Sequence, residues 1–203
     1  MPKIREICEI INNSLKAGQF KSRKFQKGNW QKLAYLVSRE EKSGEDFIST
    51  NQPAIIDNDG EGIPVGYDDT YPIQFYHRII APLQYPDLSI NINEGFGNPA
   101  TDNKEIAEMV LICMGDRARL GVFTEDICAA ICVDIPRELT PTQLSTLGLE
   151  EVEIELVDVN TDPETVFAQE YKGIEFALAP ENFMVAVKYR ITSLYNSECF
   201  SLC

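Results

Sequence analysis

Glu151-Val-Glu-Ile-Glu-Leu-Val-Asp-Val159 places Val152, Ile154 and Leu156 on one face and Glu151, Glu153 and Glu155 on the other. A period of two with one apolar face marks a half-buried strand. A second stretch, Phe183-Met-Val-Ala-Val-Lys-Tyr-Arg-Ile-Thr192, sets Phe183, Val185, Val187, Tyr189 and Ile191 against Met184, Ala186, Lys188, Arg190 and Thr192, so its outer face is basic. Laid side by side, the two bring Glu153 and Glu155 near Lys188 and Arg190. Each opposite-charge pair across strands adds roughly 0.2–1 kcal/mol.

Outward from this pair, the remaining elements follow the same logic. Ile4, Ile7, Cys8, Ile11 and Leu15 recur at helical spacing, with Gly18 as a stop, and predict an amphipathic helix over residues 3–17. Leu33–Ser38 reads as a short strand and Arg39–Gly44 as a charged loop. The aromatic alternation of Tyr71–Ile80 predicts a strand. Ala81–Thr101 is irregular, with brief pairing open to Leu88–Ile92. Within Lys104–Gly115, Ile106, Met109, Val110 and Cys113 match a helix, while Met109–Met114 alone suits a buried strand; the strand is favoured. Thr124 supplies an N-cap ahead of two acids, Thr140-Pro141 opens a short helical turn, and Asp162-Pro163-Glu164 opens another. Helix, strands, helix, then strands predicts an α+β fold. Its sheet is mainly antiparallel, flanked by an N-terminal amphipathic helix and one or two short helices.

The chain has 203 residues, 44% of them hydrophobic and 25% charged, with a net charge of −14. That suits a single domain over 1–203 with a real core. Global disorder is excluded by the apolar content, and no apolar run approaches the ~18 residues of a membrane span. The charge is split by position: residues 1–32 carry +6 and residues 33–203 carry −20. Residues 16–32 read as a basic connector arm bearing Lys16, Lys21, Arg23, Lys24 and Lys27, with Phe20, Phe25 and Trp30 interleaved. Such a segment can neutralise phosphates and stack bases, bind a partner, or serve as a plain connector whose aromatics enter a core. The −20 on the rest of the chain favours a protein partner instead, either another protein or the acidic face (Glu151, Glu153, Glu155) of an identical copy.

Residues 44–70 read as a long acidic loop. Within it, Asp57, Asp59, Glu61, Gly62 and Asp68 occupy positions 1, 3, 5, 6 and 12 of a calcium-loop pattern. Alternating oxygen ligands suit a hard cation. Position 12 lacks the bidentate Glu and no helix pattern precedes the loop. A solvated loop is therefore the leading reading, with calcium as the one cofactor considered and a cation-dependent binding module as the alternative function.

Catalytic constellations are not assembled. The chain has one histidine, His77, which any Ser-His-Asp or Cys-His site must use, and no G-x-S-x-G. An uncharacterised enzyme would turn to Cys128 or His77. Gly95–Ala100 superficially fits G-x-G-x-x-A, but Asn98-Pro99 opposes a helix start there, which leaves a turn. Six cysteines, two pairs at C-x3-C spacing (Cys128/Cys132 and Cys199/Cys203), read as packed or free thiols rather than a zinc site or disulfide. Ile4–Leu15, interrupted by Arg5, Glu6 and Glu9, is no signal peptide, and a cytoplasmic address follows.

The order of these elements resembles the small α+β tail-terminator and tail-completion proteins of tailed bacteriophages and their prophage relatives. The resemblance rests on the helix Ile4–Leu15, the long acidic loop, the short helix Glu125–Val133 and the closing strand Phe183–Thr192. It implies a non-enzymatic structural subunit that assembles as a homo-oligomeric ring at the head–tail junction, among other particle proteins. It also implies a virion component without sequence-specific nucleic-acid binding. A head-to-tail ring needs two different complementary surfaces on one subunit. A basic arm and an acidic body supply such a pair, and an acidic face can line a channel that DNA crosses without sticking.

Overall fold

In the computed structural model, residues 3–43, 46–56, 61–84, 102–175 and 179–196 are described. The alternating stretches become neighbouring strands at one end of a five-stranded sheet. β6 (Asp102–Asp116) and β8 (Asn182–Asn196) pair antiparallel over their whole length, from Asp102 opposite Asn196 to Asp116 opposite Asn182. β7 (Glu151–Asn160) adds to β8, with Ile154 opposite Ile191 and Glu155 opposite Arg190, and slips at a bulge between Leu156 and Asp158. β5 (Ile73–Ile79) flanks β6 antiparallel, and the two-residue β1 (Asn29–Trp30) runs parallel to β5. The order is β1-β5-β6-β8-β7, so β1 and β7 are the edges. The fold is α+β with a mainly antiparallel sheet.

One face of this sheet is covered by helices. α1 (Ile4–Ala17) buries Ile4, Ile7, Cys8, Ile11 and Leu15, the residues whose spacing predicted it. α4 (Thr124–Asp134) and α5 (Pro141–Leu147), which follow the short α2 (Arg23–Gln26) and α3 (Arg117–Leu120), add Ile127, Ile131 and Leu147. From the sheet come Phe75, Met109, Leu111, Val152, Ile154, Val185, Val187 and Ile191. Each such fully buried side chain contributes about 1.5–3 kcal/mol of transfer free energy. On the other face a smaller core joins Tyr76, Val110, Ile112, Met114, Met184 and Ala186 to Val166 and Tyr171, at α6 (Pro163–Glu170) and its end. β6 and β8 therefore feed both cores. Of the outer face of β8, read as basic, Met184 and Ala186 are covered by this second core, and Lys188, Arg190 and Thr192 stay partly exposed.

Several expectations are corrected. Residues 16–32, read as a basic connector arm, hold the end of α1, a 3-10 turn (Gln19–Lys21), α2 and β1, with Phe20 and Phe25 in the helix-side core and Trp30 against it. Residues 44–70 are not a loop throughout. β3 (Asp46–Ile56) pairs with β2 (Tyr35–Ser43), whose span includes much of the expected Arg39–Gly44 loop, and β4 (Gly62–Pro64) adds to β3, giving a second, three-stranded sheet. Asn51 and Pro53 disguise β3, because both are depleted in strands and proline cannot donate to a ladder, and the polar run Ser49-Thr50-Asn51-Gln52 shows no apolar alternation. Thr124 is the first residue of α4 rather than its cap; Phe123 holds the cap position and makes no side-chain cap bond. The expected pairing at 88–92 and turn at 95–100 lie outside the described residues.

Candidate interaction surfaces

The aromatic residues of the basic segment fold under it. Phe20 and Phe25 meet edge to face with centroids 4.7 Å apart, and Phe20 meets Phe75 at 5.5 Å. Trp30 stacks flat on Phe75, 3.9 Å between centroids. Phe20 and Phe25 are buried, so their expected role as partner-binding side chains is corrected to core residues; the apolar side of β5 offered them more burial than solvent did. The bases stay outside. Lys21, Arg23, Lys24 and Lys27 are exposed, Lys24 Nζ donates to Leu120 O at 2.8 Å, and Lys16 Nζ sits 5.2 Å over the Trp30 ring. The result is a basic rim around an aromatic plug, adjoining the β1 edge.

The acidic face lies at the opposite edge. Glu151, Glu153 and Glu155 are exposed on β7. Glu155 accepts from Arg190 Nη1 at 3.1 Å, and Arg190 also reaches Glu108 at 3.5 Å, so one guanidinium bridges carboxylates from both neighbouring strands. Lys188 pairs with Asp158 at 3.9 Å. The pairing of Glu155 with Arg190 follows the expected side-by-side arrangement; Glu153 instead stands opposite Thr192. Glu151 and Glu153 make no ion pair among the described residues. Glu138 pairs with Glu153 through an isolated backbone β-bridge, and Ile154 N–H donates to Arg137 O at 2.7 Å, which brings a further acid to this edge and covers part of it.

The calcium-loop pattern does not assemble where it can be followed. Gly62 stands where the loop needs a sharp turn, yet it is extended in β4, opposite Ile56. Asp68 accepts from Thr70 N–H at 2.9 Å, and hydrogen bonding to Thr70 holds its carboxyl below the usual carboxylate range. Glu61 is exposed, and Asp57 and Asp59 lie outside the described residues. Among the described residues no cluster of three or more His, Cys, Asp or Glu side chains could hold a metal ion.

A polar centre that the sequence did not reveal sits in the helix-side core. Asn12 Nδ2 donates to Gln31 O at 3.0 Å, which turns Asn12 Oδ1 toward His77 Nε2 at 2.9 Å. Nε2 therefore carries the proton, and Nδ1 accepts from the Tyr189 hydroxyl at 2.7 Å. Cys8 Sγ lies 3.9 Å from that hydroxyl. The chain of contacts ties α1 to β5 and β8. His77 is fully buried, and burial pulls its pKa down to about 3. Burial pushes the thiols up, Cys8 to about 12 and Cys128 to about 11, away from reactive thiolates.

The other face of β5 carries a second centre. Arg78 grips Glu170 with two hydrogen bonds, Nε to Oε2 at 2.7 Å and Nη2 to Oε1 at 2.5 Å, and the Tyr76 hydroxyl donates to Glu170 at 3.3 Å. Tyr171 OH donates to Val65 O at 2.7 Å. The only sequence signal for either centre is a histidine and an arginine inside an apolar strand, which marks burial but names no partner.

No helix among the described residues is long and apolar enough to cross a membrane. No protein-family model matches the chain, and no curated protein matches it significantly.

Proposed function

We propose that this chain is a non-enzymatic assembly subunit of a phage or prophage-like particle, working as a homo-oligomer of the tail-completion kind. The basic rim of one copy meets the acidic edge of the next. The observation that carries this reading is the placement of charge: exposed Lys21, Arg23 and Lys27 adjoin the β1 edge, and Glu151 and Glu153 stand on β7 at the far edge of the same sheet. Two different complementary surfaces on opposite edges suit a head-to-tail contact, which closes into a ring when the rotation allows. The order of elements supports a particle role. The sealed imidazole of His77 and the raised thiols support a structural one.

Light scattering on the eluting protein tests the oligomer. Assemblies larger than a dimer are expected at low salt, shrinking as salt rises, because exposed charge pairs are screened. Arg23→Glu with Lys27→Glu should break the contact, and Glu151→Lys with Glu153→Lys in the same chain should restore it. A monomer at every concentration and salt level overturns the reading. Genes for portal, capsid and tail-tube proteins are expected beside this one, and their absence from a complete surrounding genome overturns the particle assignment.

A further inference from the structure

A cavity of about 320 Å³ opens where the two sheets meet, within the ~300–1,000 Å³ usual for small-molecule sites. One wall comes from β1, the residue after it and β5, with Asn29, Gln31 and Gln74. The other comes from β4 and the chain beyond it, with Ile63, Val65 and Asp68. Gln74 marks the place as a site. It is 3% exposed, and its Nε2 donates to Asp68 O at 3.0 Å, which fixes the amide and leaves Oε1 as an acceptor. Oε1 accepts from no donor among the described residues. Every side-chain oxygen or nitrogen there that is sealed from solvent has a partner, so Oε1 is reached from the cavity. A largely desolvated oxygen of this kind is matched by a ligand that brings an N–H.

Two more acceptors line the same space. Gln31 Nε2 donates to Asn29 Oδ1 at 2.8 Å, so Gln31 Oε1 stays open beside the Asn29 amide. Asp68 accepts from Thr70 N–H through Oδ1 and is the one charged residue of the lining. It makes no ion pair among the described residues. The surroundings are acid-rich. Burial, then the charge of Asp116, pushes the Tyr67 hydroxyl up; Asp69 and Glu181 add to this and Arg119 opposes it. Arg119 is itself occupied by the carbonyl oxygens of Asp69 and Thr70.

Open acceptors, an uncompensated carboxylate and an apolar wall fit a cation that has many N–H donors and an aliphatic stem. An ammonium offers three donors from one atom, whereas a guanidinium spreads five over a plane and reaches acceptors on separate elements. We infer that the cavity binds a guanidinium group, with its donors on Gln31 Oε1, Gln74 Oε1 and the Asp68 carboxylate and its stem along Ile63 and Val65. A free arginine-like molecule and an arginine side chain of another protein share this chemistry. The site stands apart from the edge-to-edge contact proposed above, since a strict monomer holds it equally well.

Calorimetric titration of the full chain tests it with three probes: L-arginine, its neutral isostere L-citrulline, and a blocked pentapeptide with one arginine among four alanines. An arginine probe should release or absorb heat and raise the melting temperature, and citrulline should do neither. Binding of both arginine probes means that the side chain suffices. Binding of the free amino acid alone marks a small-molecule site, and of the peptide alone a protein partner. Asp68→Asn keeps the acceptor for Thr70 N–H, and Gln31→Met changes a half-buried side chain. Each should weaken binding about tenfold while the melt without ligand stays unchanged. Neither heat nor a melting shift with either arginine probe overturns the inference. So does citrulline binding as tightly as arginine, or Asp68→Asn binding undiminished. None of these outcomes touches the oligomer, which light scattering reads separately.

Discussion

Folding carries the imidazole of His77 from water, where its ordinary pKa is 6.5, into a site where it stays neutral down to about 3. Between those values the unfolded chain binds a proton that the native chain refuses. Stability from this group is therefore complete above pH 6.5 and falls as the pH drops toward 3, by about 1.4 kcal/mol per unit. Urea unfolding at pH 7 and pH 5 should differ by about 2 kcal/mol from this residue. His77→Gln should be less stable at pH 7 and should lose that share of the slope; an unchanged slope would show that other groups carry it. Arg78 and Glu170 make a different prediction. Both are buried and each satisfies the other, with side-chain exposures of 10% and 2%. Glu170→Ala leaves a buried guanidinium unpaired and should cost about 3–5 kcal/mol in denaturant titration. Replacing both by Met and Leu should cost much less, because the pair's net worth is smaller than the penalty of an orphaned charge.

At the scale of elements, what the sequence shows depends on whether an element's partners are local. α5 is legible because its start is self-contained. Thr140 Oγ1 accepts from Gln143 N–H, Gln143 Oε1 accepts from Thr140 N–H, Pro141 follows the cap, and Gly148 ends the helix at φ 68°. Thr140→Ala should lower stability by about 1 kcal/mol, read as a drop in melting temperature with no change in the folded spectrum. β7 and β8 are legible because period-two alternation over nine or more residues has few rival explanations. β2 and β3 are not, since charged residues, Pro53 and a polar run mask a pairing that runs from Tyr35 opposite Ala54 to Ser43 opposite Asp46. The calcium-loop alternative departs from its pattern at Gly62 for a related reason: Gly62 fits a turn by spacing, and only the partner strand decides that it is extended. Gly115 also depends on its surroundings, since a Cβ there would lie 2.6 Å from Pro72 O. Gly115→Ala should cost about 1–3 kcal/mol through forced backbone movement.

Across the whole molecule, the candidate surfaces were half legible. The charge split needed only counting, and the acidic residues of β7 are exposed as the alternation required. The aromatics of the basic segment went the other way, because whether Phe20 and Phe25 face a partner or a core depends on β5, some 50 residues away. The two cores share one sheet, and this decides how the protein unfolds. β8 sends Val185, Val187 and Ile191 to the helix side and Met184 and Ala186 to the other, and β6 does the same with Leu111 and Ile112. Neither layer can lose its sheet without exposing the other, so unfolding should be a single cooperative transition. The one tryptophan makes this measurable. Trp30, within the basic segment, stacks on Phe75 at the β1 edge and so reports on the helix-side layer, whereas far-UV circular dichroism reports on the secondary structure as a whole. The two signals should follow one curve in urea, with the same midpoint and slope. An earlier tryptophan transition would mean that the basic segment detaches first and is held by its aromatic plug alone. The head-to-tail contact proposed for it would then have to order the segment as well as bind it, and would be weaker for that reason.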